Sequence, residues 1–126
     1  MKKRVLIVDD FGSMRRMVRA ALKPLPYLEI HEAEHGLSAW DKLQSARHDL
    51  LISDICMPHL DGWQLVQRVR ESEHHPRLPI ILVSAEPAPD KLPGSLRYLG
   101  KPFKPGLLRH AVVEFLEENI KADPAS

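Results

Sequence analysis

Short apolar segments alternate with amphipathic ones along most of the chain. Apolar runs of four residues occur at 5–8 and 80–83, and another strongly apolar segment covers 49–53. Short, continuous, β-branched runs of this kind are typical of strands buried on both faces of a parallel sheet. Weaker alternation over 28–33 predicts a half-buried edge strand, and 96–99 is predicted as a fifth strand.

Helical spacing of apolar residues fills most of the intervals between these strands. The first helix follows Ser13, its predicted N-cap, and stops at Pro24; its apolar face consists of Met14, Met17, Val18, Ala21 and Leu22. Further helices are predicted around 37–43, 65–69 and 107–116. Strands that alternate with helices form βαβ units, which predicts an α/β fold with a doubly wound, five-stranded parallel sheet.

The interval from 85 to 95 does not follow this pattern. It contains prolines at 87, 89 and 93, and three prolines in seven positions exclude a regular helix of ordinary length. The fourth helix is therefore predicted to be shortened or missing.

The first helix also carries a basic strip that includes Arg15, Arg16 and Arg19. Clusters of charge on an amphipathic helix are usually solvated, and we assign this strip to the outer face of the helix.

Composition narrows the class of protein. The chain has 126 residues, of which 44% are hydrophobic and 28% charged, as in a globular domain that buries its own core. We assign 1–121 to that domain and 122–126 to a flexible polar tail. A net charge of +1 and short apolar runs argue against direct binding to nucleic acid or membranes. The lone Cys56 and the absence of a signal-peptide pattern predict a cytoplasmic location.

Acidic, hydroxyl and basic side chains stand at the carboxyl ends of four predicted strands, where ligands of open parallel sheets bind. These residues are Asp9, Asp10, Asp54, Ser84 and Lys101. Taken singly, Asp10 is equally well explained as a helix cap or turn former, Ser84 is usually a turn residue and Lys101 is usually solvated surface. Their convergence on one edge favours a functional site. Three neighbouring carboxylates repel one another unless a proton or cation intervenes, and Mg²⁺ is the simplest hard cation for oxygen ligands.

Asp54 stands alone at its strand end, whereas Asp9 and Asp10 form an adjacent pair suited to holding a metal ion. We therefore predict that Asp54 acts as a nucleophile toward a phosphoryl group and forms an aspartyl phosphate. Lys101, Ser84 and the metal would then neutralise and orient the phosphoryl oxygens.

Several motifs occur in a fixed order between Val5 and about Ile120. They are Asp9-Asp10-Phe11, Met14-Arg15-Arg16, a D-x-x-M-P-x-x-D-G segment from Asp54 to Gly62, Ser84, and Lys101-Pro102-Phe103. This ordered set resembles the receiver domain of bacterial two-component response regulators, and the first helix is especially similar to that of the single-domain chemotaxis regulators. The resemblance implies a flavodoxin-like (βα)5 fold with strand order 2-1-3-4-5.

The resemblance also implies how the site works. Asp54 would accept phosphate from a histidine kinase or phosphotransfer protein. Ser84 and Lys101 would bind the phosphoryl group, with a cis peptide bond between Lys101 and Pro102. The Mg²⁺ ligands would be Asp9, Asp10, Asp54 and the backbone carbonyl of Cys56.

Three further residues match positions that tune or transmit the signal in this family. Tyr98 would be an aromatic switch that turns inward as Ser84 moves toward the phosphate, although an edge-strand aromatic residue also explains it. Cys56 and Glu86 would modulate dephosphorylation, although simple packing of a free thiol explains Cys56 equally well.

The gap from Ser84 to Lys101, 101 − 84 = 17 positions, is short for a receiver. We therefore expect the 85–95 loop to reorder on phosphorylation and to present a partner surface different from the family's usual one. It would then contact an unknown downstream protein or a fused effector domain.

Two alternatives remain. One is a pseudo-receiver, an interaction module that works without phosphorylation. The other is an enzyme that acts on an external substrate. An aspartyl-nucleophile phosphatase would need an acid where Cys56 stands, and no dinucleotide-binding or P-loop motif is present, so the chain is predicted to catalyse only its own phosphorylation and dephosphorylation.

Overall fold

The computed structural model describes residues 2–92 and 95–122 of the chain. They form, in order, β1 (Lys3–Val8), α1 (Gly12–Leu22), β2 (Leu28–Ala33), α2 (Gly36–Ser45), β3 (Leu50–Asp54), α3 (Gly62–Glu71), β4 (Ile80–Ser84), β5 (Leu96–Gly100) and α4 (Pro105–Ala122). Residues 123–126 of the predicted tail lie outside the described residues.

All five strands pair in parallel in the order β2-β1-β3-β4-β5. In the central register, Val5 of β1 lies beside Ile30 of β2 and Leu50 of β3. The edge position predicted for the second strand is confirmed. So is the doubly wound, flavodoxin-like α/β fold.

Hydrophobic side chains cover both faces of the sheet in two separate core layers. On β1, Val5 and Ile7 belong to the layer beneath α1 and α4, whereas Leu6 and Val8 belong to the layer beneath α2 and α3. This alternation follows from the two-residue period of a strand. Since all four side chains are essentially buried, the 5–8 segment of β1 is buried on both faces of the sheet, as its sequence predicted.

The connection from β4 to β5 replaces a helix with an irregular segment. Its described part, residues 85–92 and Ser95, contains neither helix nor strand, which confirms the prediction of a shortened or missing fourth helix. Leu92 packs against the core layer beneath α2 and α3. The guanidinium of Arg70 on α3 donates hydrogen bonds to the carbonyls of Leu78 (2.8 Å) and Ser95 (3.0 Å). These contacts tie the strand beginnings to α3.

The prediction that Ser13 caps the first helix is wrong. With Ser13 as N-cap, the helix would begin at Met14, but α1 begins two residues earlier, at Gly12, and its N-cap residue Phe11 makes no side-chain capping bond. The carboxylate of Asp9 accepts the Phe11 N–H (2.9 Å) and thereby shapes the turn into the helix.

Among the helices in the described part of the chain, none combines the length and apolar composition needed to cross a membrane.

Candidate functional site

The carboxyl edge of the sheet brings together most of the residues predicted from the sequence. Asp9 and Asp10 directly follow β1, Asp54 is the last residue of β3, Ser84 is the last residue of β4, and Lys101 follows β5. One carboxylate oxygen from each aspartate lies within 4.8 Å of the others. The site is therefore built from the ends of four neighbouring strands.

The Asp54 carboxylate lies at the centre of this edge and is buried. Its Oδ1 accepts hydrogen bonds from the Ile55 N–H (2.9 Å) and from Lys101 Nζ (3.2 Å). Within the described residues, no donor makes a hydrogen bond to Oδ2. One carboxylate oxygen is therefore fixed, and the other accepts no hydrogen bond from the described part of the chain.

Asp9 is also buried, whereas Asp10 is exposed. Burial raises the pKa of Asp9, and the nearby charge of Asp54 raises it further. The Phe11 N–H and Lys101, whose Nζ lies 3.3 Å from Asp9 Oδ2, act in the opposite direction. Burial is the largest of these effects, and the pKa of Asp9 is raised despite both stabilising contacts. Among the described residues, three carboxylates at this edge face the single ammonium group of Lys101.

This excess of negative charge fits a divalent cation. Three carboxylates supply only hard oxygen donors, the ligands that Mg²⁺ prefers, and they come from two strand ends that the sheet holds in register. Asp10, as the exposed member, gives the group an opening to solvent. The residues present are therefore suited to Mg²⁺.

Ser84 and Tyr98 meet at Glu86 in the loop that follows β4. Ser84 Oγ accepts the Glu86 N–H (3.1 Å), and the Tyr98 hydroxyl donates to the Glu86 carbonyl (2.7 Å). Ser84 is buried, while Tyr98 is half-buried against the core layer beneath α2 and α3. The structure thus links the predicted switch residues through the main chain of Glu86.

Cys56 and Lys101 lie just after β3 and β5, respectively. The Cys56 thiol is exposed in the loop after β3, so it does not fill a core position. The peptide bond between Lys101 and Pro102 is cis, as predicted. The Lys101 N–H donates to the Ser84 carbonyl at 2.7 Å.

Two residues that shape the site were not predicted from the sequence. Gly62 packs so closely on the end of β3 that a Cβ there would lie 2.6 Å from Asp54 O. The sequence feature that could have pointed to Gly62 is its position at the end of the D-x-x-M-P-x-x-D-G segment, directly after Asp61. The prediction that Arg15 lies on the outer face of α1 is wrong. Its side chain is only 15% exposed and bonds to the main chain of Asp9.

The sheet order and the acidic edge together define the receiver class of two-component signalling proteins. Residues 5–113 match the sequence profile described as the response regulator receiver domain. The chain belongs to this family.

Chemotaxis regulators are similar to it over nearly its whole length. Chemotaxis protein CheY1 of Helicobacter pylori is 35% identical over 122 residues, covering 92% of this chain and 98% of that protein. The CheY homolog of Campylobacter jejuni is 34% identical over 119 residues, covering 90% and 92%. The structure of chemotaxis response regulator CheY4 of Vibrio cholerae superposes with a TM-score of 0.82 at 33% identity, covering 91% and 99%. In both sequence and fold, this chain is thus similar to regulators of the CheY group.

Proposed function

We propose that Asp54 accepts a phosphoryl group from the phosphohistidine of a histidine kinase or phosphotransfer protein, and that this reaction requires Mg²⁺. The environment of the Asp54 carboxylate is the main support. Lys101 and the Ile55 N–H hold Oδ1, and no hydrogen bond from the described residues engages Oδ2. Oδ2 therefore keeps its lone pairs for a bond to phosphorus.

The transfer is a single displacement at phosphorus. Asp54 Oδ2 forms a bond to phosphorus while the bond from phosphorus to the donor imidazole nitrogen breaks. The electron pair of the broken bond stays on that nitrogen, which takes a proton from solvent. Lys101, whose Nζ lies between Asp9 and Asp54, stabilises the charge on the phosphoryl oxygens.

The metal would be held by Asp9, Asp10, Asp54 and the backbone carbonyl of Cys56. When bound, Mg²⁺ supplies positive charge beside the phosphoryl oxygens. Since the phosphoryl group ends on the protein itself, the chain acts as a signalling domain that modifies only itself. Cys56 and Glu86, two residues after Asp54 and Ser84, are placed to influence how long the phosphoryl group lasts.

The contacts around Glu86 support a switch that starts at Ser84. Its hydroxyl would leave the Glu86 N–H when it bonds to a phosphoryl oxygen. Because the Glu86 carbonyl accepts the hydroxyl of Tyr98, a shift of Glu86 would change the position of the tyrosine. The signal would thereby pass from the phosphoryl group to the outside of β5.

The exposed segment 85–90 begins directly after Ser84, the residue at which this switch starts. We propose that it reorders on phosphorylation and forms part of the surface that binds an unknown downstream protein or a fused effector domain. Amide exchange with and without an acyl-phosphate mimic tests this step. Equal exchange in both states would count against it.

Fluorescence of Trp63 offers a direct test of the site, since this partly exposed residue is the second residue of α3. In a Trp40→Phe background, Mg²⁺ followed by an acyl-phosphate mimic should change the emission in two steps. Asp54→Asn should abolish the second step. A wild-type protein that shows neither step would favour the pseudo-receiver.

Asp61→Asn is the matched control. Asp61 lies in the loop between β3 and α3, and its carboxylate caps α3 by accepting the Gln64 N–H (2.8 Å). Asparagine caps helices about as well as aspartate, so the fold is preserved. We expect this variant to respond like the wild type. Loss of both steps in Asp61→Asn would show that the assay reports general loss of acidic charge.

A further inference from the structure

The side chain of Arg15 on α1 connects the acidic edge to strand β2. Its Nη1 donates to the backbone carbonyl of Asp9 at 2.6 Å, and its Nε donates to Glu32 Oε1 at 3.0 Å. One planar guanidinium thus makes two bonds in directions fixed by its geometry. Neither bond goes to the Asp9 or Asp10 carboxylate, so Arg15 does not compete with a metal ion for those oxygens.

Glu32, which binds this guanidinium, is itself held in place by other side chains. Its Oε2 accepts Arg19 Nε at 2.9 Å, and its main-chain carbonyl accepts the Lys42 ammonium of α2. Partial burial alone would raise the pKa of Glu32, but the hydrogen bonds from Arg19 and Arg15 outweigh it, and the pKa is lowered. Glu32 is therefore charged at neutral pH and held from two helices.

The same arrangement fixes the Asp9 main chain on both sides. The Asp9 N–H donates to the Ala33 carbonyl (3.3 Å), while the Asp9 carbonyl accepts Arg15. Asp9 Oδ1 then accepts the Phe11 N–H, which closes the turn that carries Asp10. No side chain caps α1 at this turn, so Arg15 is a principal restraint on it.

We propose that Arg15 is a positioning residue for the metal site, which presents Asp9 and Asp10 to Mg²⁺ by holding the Asp9 carbonyl. The inference rests on the proposed Mg²⁺ function of these two carboxylates. It assigns to Arg15 no contact with the metal or the phosphoryl group. Its effect passes only through the Asp9 backbone.

The position of Arg15 allows a test in which two explanations predict opposite signs. If Arg15 acted only through its charge, its removal would strengthen Mg²⁺ binding, since a nearby cation repels the ion. If it positions Asp9, its removal weakens binding. Outer-shell partners of metal ligands typically contribute about 10–100-fold in affinity, and we expect about tenfold for Arg15→Ala.

Arg19→Ala is the matched control, because Arg19 pairs with the same Glu32 carboxylate but does not bond to Asp9. We expect its Mg²⁺ affinity to stay within about twofold of wild type. Arg15→Lys keeps the charge but lacks the fork that serves both partners. It should therefore bind Mg²⁺ more weakly than wild type and more tightly than Arg15→Ala.

The measurements are Mg²⁺ titrations by Trp63 fluorescence, and amide exchange at Phe11 in metal-free protein. We expect faster exchange at Phe11 in Arg15→Ala and unchanged exchange in Arg19→Ala. Urea denaturation shows whether each variant folds. If Arg15→Ala does not fold, the comparison of Arg15→Lys with the wild type tests the inference. Equal or tighter Mg²⁺ binding by both Arg15 variants would overturn the inference. Failure of the wild type to bind Mg²⁺ would instead overturn the proposed function.

Discussion

Replacement of Gly62 by alanine should destabilise the protein where α3 meets the end of β3. Gly62 is the first residue of α3, and its N–H donates to the Ile55 carbonyl at 2.8 Å. A Cβ on Gly62 would lie 2.6 Å from Asp54 O and 2.8 Å from Ile55 Cα. Both are backbone atoms, so no rotamer change relieves the contact. Either the helix or the end of β3 must move.

The size of the effect follows from these distances. Ordinary van der Waals contact begins near 3.4 Å, so the overlap at Asp54 O is 3.4 − 2.6 = 0.8 Å. Overpacking of this kind costs about 1–3 kcal/mol. The better helix propensity of alanine offsets at most about 1 kcal/mol of this. We therefore expect the free energy of unfolding to fall by about 1–2 kcal/mol, and phosphoryl uptake to fall because Asp54 is displaced.

Urea denaturation measures the stability change, and Gly106→Ala is its control. Gly106 is the second residue of α4, and nothing lies within 4 Å of a Cβ placed there. Gly106→Ala should be neutral or stabilising, by up to about 1 kcal/mol. If Gly62→Ala matched the wild type in stability and phosphoryl uptake, the close approach of α3 to Asp54 would be refuted.

Three further predictions concern residues outside the acidic edge. Arg70→Met should lower the free energy of unfolding by about 2 kcal/mol in urea denaturation, since the carbonyls of Leu78 and Ser95, just before β4 and β5, lose a charged donor; an unchanged midpoint would contradict this role. Burial lowers the pKa of His48, so the unfolded chain binds the proton more readily and stability is lost as the pH falls below about 6.5. His48→Gln should flatten this loss, and an equal pH slope in both proteins would contradict the assignment. Tyr98→Phe removes the exposed bond to Glu86, which should cost about 0.5 kcal/mol and leave phosphoryl uptake by intact mass within about twofold; a large loss of uptake would place Tyr98 in the transfer itself.

The positions at which the strands end could be predicted, because they depend on the local pattern of apolar residues along the chain. Buried apolar runs fix where Asp9, Asp54 and Ser84 fall along their strands, and a parallel sheet necessarily brings its carboxyl ends to one edge. The prolines between β4 and β5 likewise exclude an ordinary fourth helix by their spacing alone. None of these inferences depends on how the helices pack.

The role of Arg15 depends on tertiary packing and was missed for that reason. Its partner Glu32 lies 17 positions along the chain, and only the rotation of α1 against β2 decides whether Arg15 faces Glu32 or solvent. The sequence predicts a solvated face for the basic strip, because charged residues on a helix are usually exposed to solvent. The close contact of Gly62 with Asp54 is likewise a property of helix placement, which the apolar pattern does not specify.

The decisive measurement is the intact mass of the protein after incubation with a small-molecule phosphodonor and Mg²⁺. We expect the addition of one phosphoryl group to the wild type and to Asp61→Asn. We expect no addition to Asp54→Asn, or to the wild type when EDTA removes the metal. An unmodified wild type, or an Asp54→Asn protein that still gains the phosphoryl group, would contradict the assignment of Asp54 as the Mg²⁺-dependent phosphoacceptor.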